Sequence, residues 1–418
     1  MANNGLDIEK KIFDPIHGYI SLTNNEMEIV NSLPFQRLHE IKQLGSTYLV
    51  YPTAKHTRFS HSLGVLHIAS EIIAALQEEP DCGIDWNETR IPDIRMAALL
   101  HDIGHHPLSH TFEHTMKQLE DDQADHMDFG EWIIRNNSEI VDVFEEGDLD
   151  LDQVVSMITG NNPRCEISSS IISSALDADK LDYMVRDSYF TGVASGTIDI
   201  PRFISLIRVS DNKSGITFSK KGIPMIENFI VATMSMYWSV YYHRVTTGFS
   251  LMMDRAYSIM RDKQIMPSVA EIKEWKEEEF LDYTDSCFIR YLRMHYSRES
   301  QLGSLSKQIL GRIPLKLIDS ERIVIDEKDE SDGSLYAIGC KLCSENESVF
   351  VSRQKRSFFK KNEDILIYDE KENEVTSMKE IETSFVQMIS PKSYMEDRIY
   401  TNKANEDDIR KQVKSEIE

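Results

Sequence analysis

The sequence predicts a mostly α protein, with a helical core, small β hairpins and an α+β C-terminal domain. Three observations carry that expectation. Apolar residues recur at three- and four-residue steps through much of the first 310 positions. After Gly311 short β-branched or aromatic runs, separated by charged turns, replace that pattern. Of the 418 residues, 41% are apolar and 28% charged, enough for a sizeable core and too apolar for a mainly disordered chain.

The elements follow in chain order. Residues 11–22, KIFDPIHGYISL, form two short apolar runs around a Pro and Gly turn, which predicts a hairpin. In SHSLGVLHIASEIIAALQ, Leu63, Leu66, Ile73 and Leu76 share one face, predicting a helix that begins near Ser60. In IPDIRMAALLHDIGHHPLSH, Pro92 suits a first turn, Ile94, Ala97, Ala98 and Leu100 build an apolar face, and Gly104 is the expected stop. Pro107 is expected to open the next helix. Helical spacing recurs over 128–136, 167–189, 225–242 and 245–261, and ISLIRVSDNKSGITFSKKGIP reads as a strand pair over a Ser-Gly turn. The expected layout is a helical domain over 1–310, an α+β domain over 311–400 and a polar tail over 401–418, solvated as a helix or frayed.

Lys and Arg number 46 against 70 for Asp and Glu, a formal charge of −24. Such a field repels nucleic-acid backbones, so general nucleic-acid binding is not expected. No signal-peptide pattern or membrane-spanning run is evident, and a cytoplasmic protein is expected. The five cysteines have no framework spacing. Cys340 and Cys343 form one CxxC without a second ligand pair, so they are expected to be ordinary strand or turn thiols.

Histidine is concentrated: 11 of the 13 lie between His17 and His126. HDIGHHPLSH sets His101 beside Asp102 at a predicted helix end, followed by His105, His106 and His110. Imidazole and carboxylate together suit a divalent cation that activates water. Two ligands do not make a site. His61, on an apolar helix, and Asp179, in SSALDADKLDYMVRDSYF, are further candidates, because a polar group on a buried helix is costly unless paired or coordinated. Taken singly, each is equally a helix cap or a hydrogen-bonded core residue.

Together, RFSH, LLHDIGHHPLSH and LDADKLDYMVRD resemble, in order and spacing, the segments that name the HD phosphohydrolase superfamily. DPIHGYISL, FQRL, IKQLG, HTRFSHSLGV and LDYMVRDSYFTG are similar to the deoxynucleoside triphosphate triphosphohydrolase branch, which includes the sterile-alpha-motif and HD-domain dNTPase and bacterial relatives. The resemblance covers roughly residues 11–260. It implies a metal site of His61, His101, Asp102 and Asp179, taking Mn, Mg, Fe or Zn. It implies catalytic roles for His105, His110 and His126, with His110 protonating the departing 5′ oxygen. It further implies that Arg58 and Lys180 meet phosphates, that Gln43 and Leu44 touch base or sugar, and that Tyr183, Asp187 and Tyr241 line the sugar pocket. Relatives assemble as dimers or tetramers, which implies a homo-oligomer.

Three features depart from the pattern. The stretch from Asn228 to Tyr242, which in relatives carries basic residues for the distal phosphates, has none here. Met127 stands where relatives often carry a Glu, with Asp128 beside it. Asn31 and His39 occupy the positions that read an activating guanine, so activation by that route is not expected. The expected activity is hydrolysis of dNTPs to deoxynucleoside and tripolyphosphate. The alternatives are an HD phosphohydrolase acting on another phosphoester and a non-catalytic nucleotide sensor.

Overall fold

The computed structural model describes residues 6–79, 84–120, 125–161, 163–209, 215–326, 334–357 and 364–417. Strands β1 (Lys10–Asp14) and β2 (Gly18–Leu22) pair antiparallel with Asp14 opposite Gly18, the hairpin expected there. Helix α1 (Arg58–Glu78) starts two residues before the predicted Ser60, which puts His61 in its first turn. Apolar side chains cover most of its circumference. By length and composition it is apolar enough to cross a membrane, contrary to the expectation of no such run, yet it is largely buried as the central helix of the core.

Helix α2 (Ile91–Leu100) packs on α1 and carries Pro92 in its first turn, as the spacing predicts. It ends at Leu100, and His101–Gly104 continue as turns. Pro107 opens no α-helix, contrary to expectation. Leu108 and Ser109 both adopt left-handed backbone (φ 58° and 53°), which a right-handed helix cannot absorb, and the Leu108 amide donates to the buried Asp285 carboxylate at 2.6 Å. Helix α3 (His126–Asn136) begins two residues earlier than predicted, capped by Asp125.

The single helix expected over 167–189 is two, α4 (Glu166–Ile172) and α5 (Ala178–Thr191). Between them the Asp177 carboxylate accepts from the amides of Ser174 (2.8 Å) and Lys180 (2.7 Å), so a side chain takes over the donors that a continuous helix would need. Asp179 is thereby brought to the start of a helix rather than its middle. Strands β3 (Ile207–Val209) and β4 (Ile216–Ser219) pair antiparallel, while the turn expected between them lies outside the described residues. Helix α6 (Ile223–Met236) passes into a π-helical turn over Tyr237–Tyr241, and α7 (Arg244–Asp262) follows.

In the C-terminal third, β5 (Lys316–Asp326) precedes α8 (Ser334–Glu345), where SLYAIGC is helical rather than extended. Leu335, Gly339 and Leu342 are buried at helical spacing against the adjoining sheet, and the β-rich texture of the surrounding sequence masks that period. Cys340 and Cys343 therefore sit one turn apart on a helix, not in a strand or turn. Strands β6 (Val349–Ser357), β7 (Leu366–Asp369), β8 (Glu374–Ser377) and β9 (Lys392–Thr401) follow. The strand orders are β5-β9-β6 and β3-β4-β7-β8, so β7 joins the β3–β4 ribbon. The polar tail folds as α9 (Glu406–Ile417), whose Ile409 and Val413 dock on a small second core with Ile318, Leu335, Val349 and Ile399.

Candidate active site

Both histidine rings at the centre are held from behind. The Asp182 carboxylate accepts from His61 Nδ1 at 2.7 Å, and the Ala98 carbonyl accepts from His101 Nδ1 at 2.9 Å. Such bonds set the tautomer and leave Nε2 as the free nitrogen. Both Nε2 atoms are buried and lack a hydrogen bond. His61 Nε2 lies 3.0 Å from Asp179 Oδ1 and 3.6 Å from Asp102 Oδ2, and His101 Nε2 lies 3.5 Å from Asp102 Oδ1 and 3.9 Å from Asp179 Oδ1. The donor atoms of His61, His101 and Asp179 all fall within 4.8 Å of one another. Two unpartnered imidazole nitrogens facing two carboxylates fit a divalent cation, without selecting among Mn, Mg, Fe and Zn.

Charge points the same way. Burial works against a charged His61 ring, yet Asp179, Asp182 and Asp102 push its pKa up to about 10. Burial would raise Asp102, but Arg58, His101 and His105 hold its carboxyl well below the usual range. Asp182 is likewise held low against burial by Arg186, His17 and His61. Besides histidines, the connected carboxylates of Asp14, Asp102, Asp179 and Asp182 pair, among the described residues, with the guanidinium groups of Arg58 and Arg186. With the histidines neutral, two negative charges remain for a divalent cation to balance.

Asp182 is one residue that sequence reasoning missed. Its side chain is wholly buried and accepts from His17 Nε2 at 2.6 Å and from Arg186 at 2.7 and 2.9 Å, while Arg186 also donates to Asp14 at 2.8 Å. The available signal was its place one helical turn after Asp179, inside the quoted LDADKLDYMVRD block. Gly64 makes room for it: a Cβ there would lie 1.9 Å from Asp182 Oδ1.

His105 Nε2 approaches Asp102 Oδ1 at 3.0 Å, and burial together with Arg58 holds the His105 pKa well below its ordinary value. Its ring stacks on His126 (4.2 Å between centroids) and meets His110 edge-on at 5.1 Å. Gly104 permits that approach, because a Cβ there would sit 2.0 Å from the His126 carbonyl at the start of α3. His106 lies apart, against Tyr283 and Phe129.

Every candidate from the sequence except His61 lines one cavity of about 640 Å³; His61 is buried in the wall behind it. Asp187 Oδ2 accepts from the Tyr241 hydroxyl and Oδ1 pairs with His56 Nε2, each at 2.7 Å, and His56 was not singled out by sequence. Burial raises the phenols of Tyr183 and Tyr241 well above their ordinary pKa, aided by Tyr237 and Asp187 respectively, so both are neutral donors. Gln43 Oε1 is buried without a partner on the same wall. Arg58 donates to Asp102 at 2.5 Å and to Ser109 at 2.9 Å, and Lys180 pairs with Asp177 at 3.0 Å. Asn31 and His39 are exposed and are not part of the cavity lining.

Comparison with known proteins gives consistent matches. The HD domain matches residues 58–187 and the HD associated region matches residues 198–418. An uncharacterized protein of Bacillus subtilis, YwfO, is 34% identical over 265 residues, 63% of this chain and 58% of that protein. The deoxynucleoside triphosphate triphosphohydrolase SAMHD1 homolog of Dictyostelium discoideum is 30% identical over 333 residues, 76% of this chain and 62% of that one. The chain thus spans somewhat over half the length of these curated relatives. Among solved structures, a hypothetical protein from Aquifex aeolicus superposes with a TM-score of 0.76 at 27% identity, covering 97% of this chain and 99% of the other. A phosphohydrolase from Bacteroides thetaiotaomicron gives 0.75 at 25% identity, covering 94% and 100%.

Proposed function

The chain belongs to the HD-domain family, and from that premise we propose that it is a metal-dependent nucleotide phosphohydrolase that converts dNTPs to deoxynucleoside and tripolyphosphate. The observation that carries the reading is the pair of buried, unpartnered Nε2 atoms of His61 and His101 facing Asp102 and Asp179 at the wall of a nucleotide-sized cavity. The similarity to the Dictyostelium triphosphohydrolase homolog and the Bacteroides phosphohydrolase supports it. When bound, a divalent cation supplies Lewis acidity to a water and to a phosphate oxygen.

The chain's own residues do the rest. Water attacks the α-phosphorus, the bond to the 5′ oxygen breaks, and His110, the exposed member of the histidine trio, delivers a proton to that oxygen. His105 and His126 hydrogen-bond phosphate oxygens, and Arg58 adds a fixed positive charge near the α-phosphate. The neutral phenols of Tyr183 and Tyr241, the latter fixed by Asp187, bound the sugar, while Gln43 and Leu44 meet the base or sugar. Assembly as a dimer or tetramer belongs to the same reading. Incubating metal-replete protein with each dNTP and NTP and separating products by ion exchange tests it: tripolyphosphate with deoxynucleoside is expected, whereas orthophosphate or pyrophosphate alone refutes it. A second reading, cleavage of a nucleotide with fewer phosphates, is favoured by one feature, the lack of any basic side chain between Asn228 and Tyr242.

A further inference from the structure

Among the described residues, three Arg or Lys side chains line the cavity: Arg58, Lys180 and Arg356. Arg58 is ion-paired with Asp102 and Lys180 with Asp177. Arg356 comes from β6, more than a hundred residues beyond the last segment in which the sequence suggested site residues. Among the described residues it forms no ion pair with a carboxylate. Its guanidinium instead lies over the Tyr237 ring, 3.3 Å from the centroid, beside the Tyr242 hydroxyl. Arg356 lines both an apolar pocket, with Tyr183, Phe229, Trp238 and Tyr394, and the adjoining catalytic cavity.

The placement follows from strand geometry. Side chains two apart on a strand share a face, so Arg356 projects on the same side as Gln354, which bonds Thr247 on α7 at 3.1 Å. Arg353, on the opposite face, is paired with Asp397 on β9. The π turn over Tyr237–Tyr241 supplies the aromatic surface on which the guanidinium rests. A half-buried cation with no carboxylate partner among the described residues, lining a cavity whose other two described cations are ion-paired, is a site for an anion.

We propose that Arg356 binds the distal phosphates of the nucleotide, supplying from the C-terminal region the cation that α6 and the turn after it lack. The proposal rests on reading the cavity as a nucleotide site. It makes Arg356 a specificity-determining residue that distinguishes polyphosphate from monophosphate ligands, and it gives β6 a part in substrate recognition.

Equilibrium binding to the full metal-loaded chain tests it, with inorganic tripolyphosphate and orthophosphate as probes and no turnover required. Arg356→Gln is expected to weaken tripolyphosphate binding at least tenfold while orthophosphate changes less than twofold. With a hydrolysed dNTP, KM rises by the same factor and kcat stays within about threefold. Should Arg356→Gln fail to fold, Arg356→Lys is measured in its place, with an intermediate loss for tripolyphosphate and none for orthophosphate expected. Unchanged tripolyphosphate affinity, equal losses for both anions, or a wild-type chain that binds no tripolyphosphate overturns the proposal. A wild-type chain that cleaves no dNTP defeats the hydrolase reading, yet the binding measurement still decides the role of Arg356.

Discussion

Asp182→Asn separates the role of the residue behind the metal site from the role of the site itself. Asp182 offers two oxygens to three side chains, His61, His17 and Arg186, at 2.6 to 2.9 Å, and is wholly buried. Asparagine keeps the shape but has one acceptor oxygen and an NH2 group that turns one of these contacts donor against donor. His61 then loses the bond that points Nε2 into the site, and Arg186 keeps only Asp14 as an ionic partner. Loss of such a supporting bond typically costs about 10- to 100-fold in metal affinity, or ~1.4 to 2.8 kcal/mol. Leaving the buried guanidinium half-paired costs about 3–5 kcal/mol of folding stability. Metal affinity is read by chelator competition and stability by urea denaturation, on the same preparation. A variant that folds with wild-type metal affinity refutes the argument that Asp182 orients His61.

Three further outcomes are expected. His110→Ala should abolish turnover while bound metal, measured by elemental analysis, survives; undiminished activity rejects its assignment as the acid. Gly104→Ala should lower both stability and activity, because the new Cβ meets the His126 carbonyl at 2.0 Å and displaces the start of α3; wild-type denaturation and turnover would contradict the close approach. His67, half-buried and near His17, has its pKa lowered by desolvation and by that neighbour from 6.5 to about 4. The unfolded chain takes up this proton first, so the neutral ring contributes stability that is full above about pH 6.5 and declines toward pH 4, by about 3 kcal/mol. His67→Gln should flatten that part of the acid limb in denaturation curves recorded between pH 7 and 4, and an unchanged slope would count against the burial argument.

The sequence by itself determined the helical class, the hairpin at 11–22 and the starts of α1 and α2 to within two residues, because apolar periodicity and turn residues are local signals. It also named about half of the side chains that line the cavity, since those lie within short motifs of fixed spacing. Interruptions were less legible: Asp177 splits one expected helix and two left-handed residues forestall another, through bonds to particular amides that periodicity does not register. Only the tertiary structure decided which distant elements close on the site. Asp14 and His17 from the hairpin, Asp182 behind His61, His56 against Asp187 and Arg356 from β6 meet across separations of up to hundreds of residues. Spacing encodes neighbours along one element, whereas those meetings depend on how helices and strands pack, where Gly64 and Gly104 leave room, and where buried charge must find a partner.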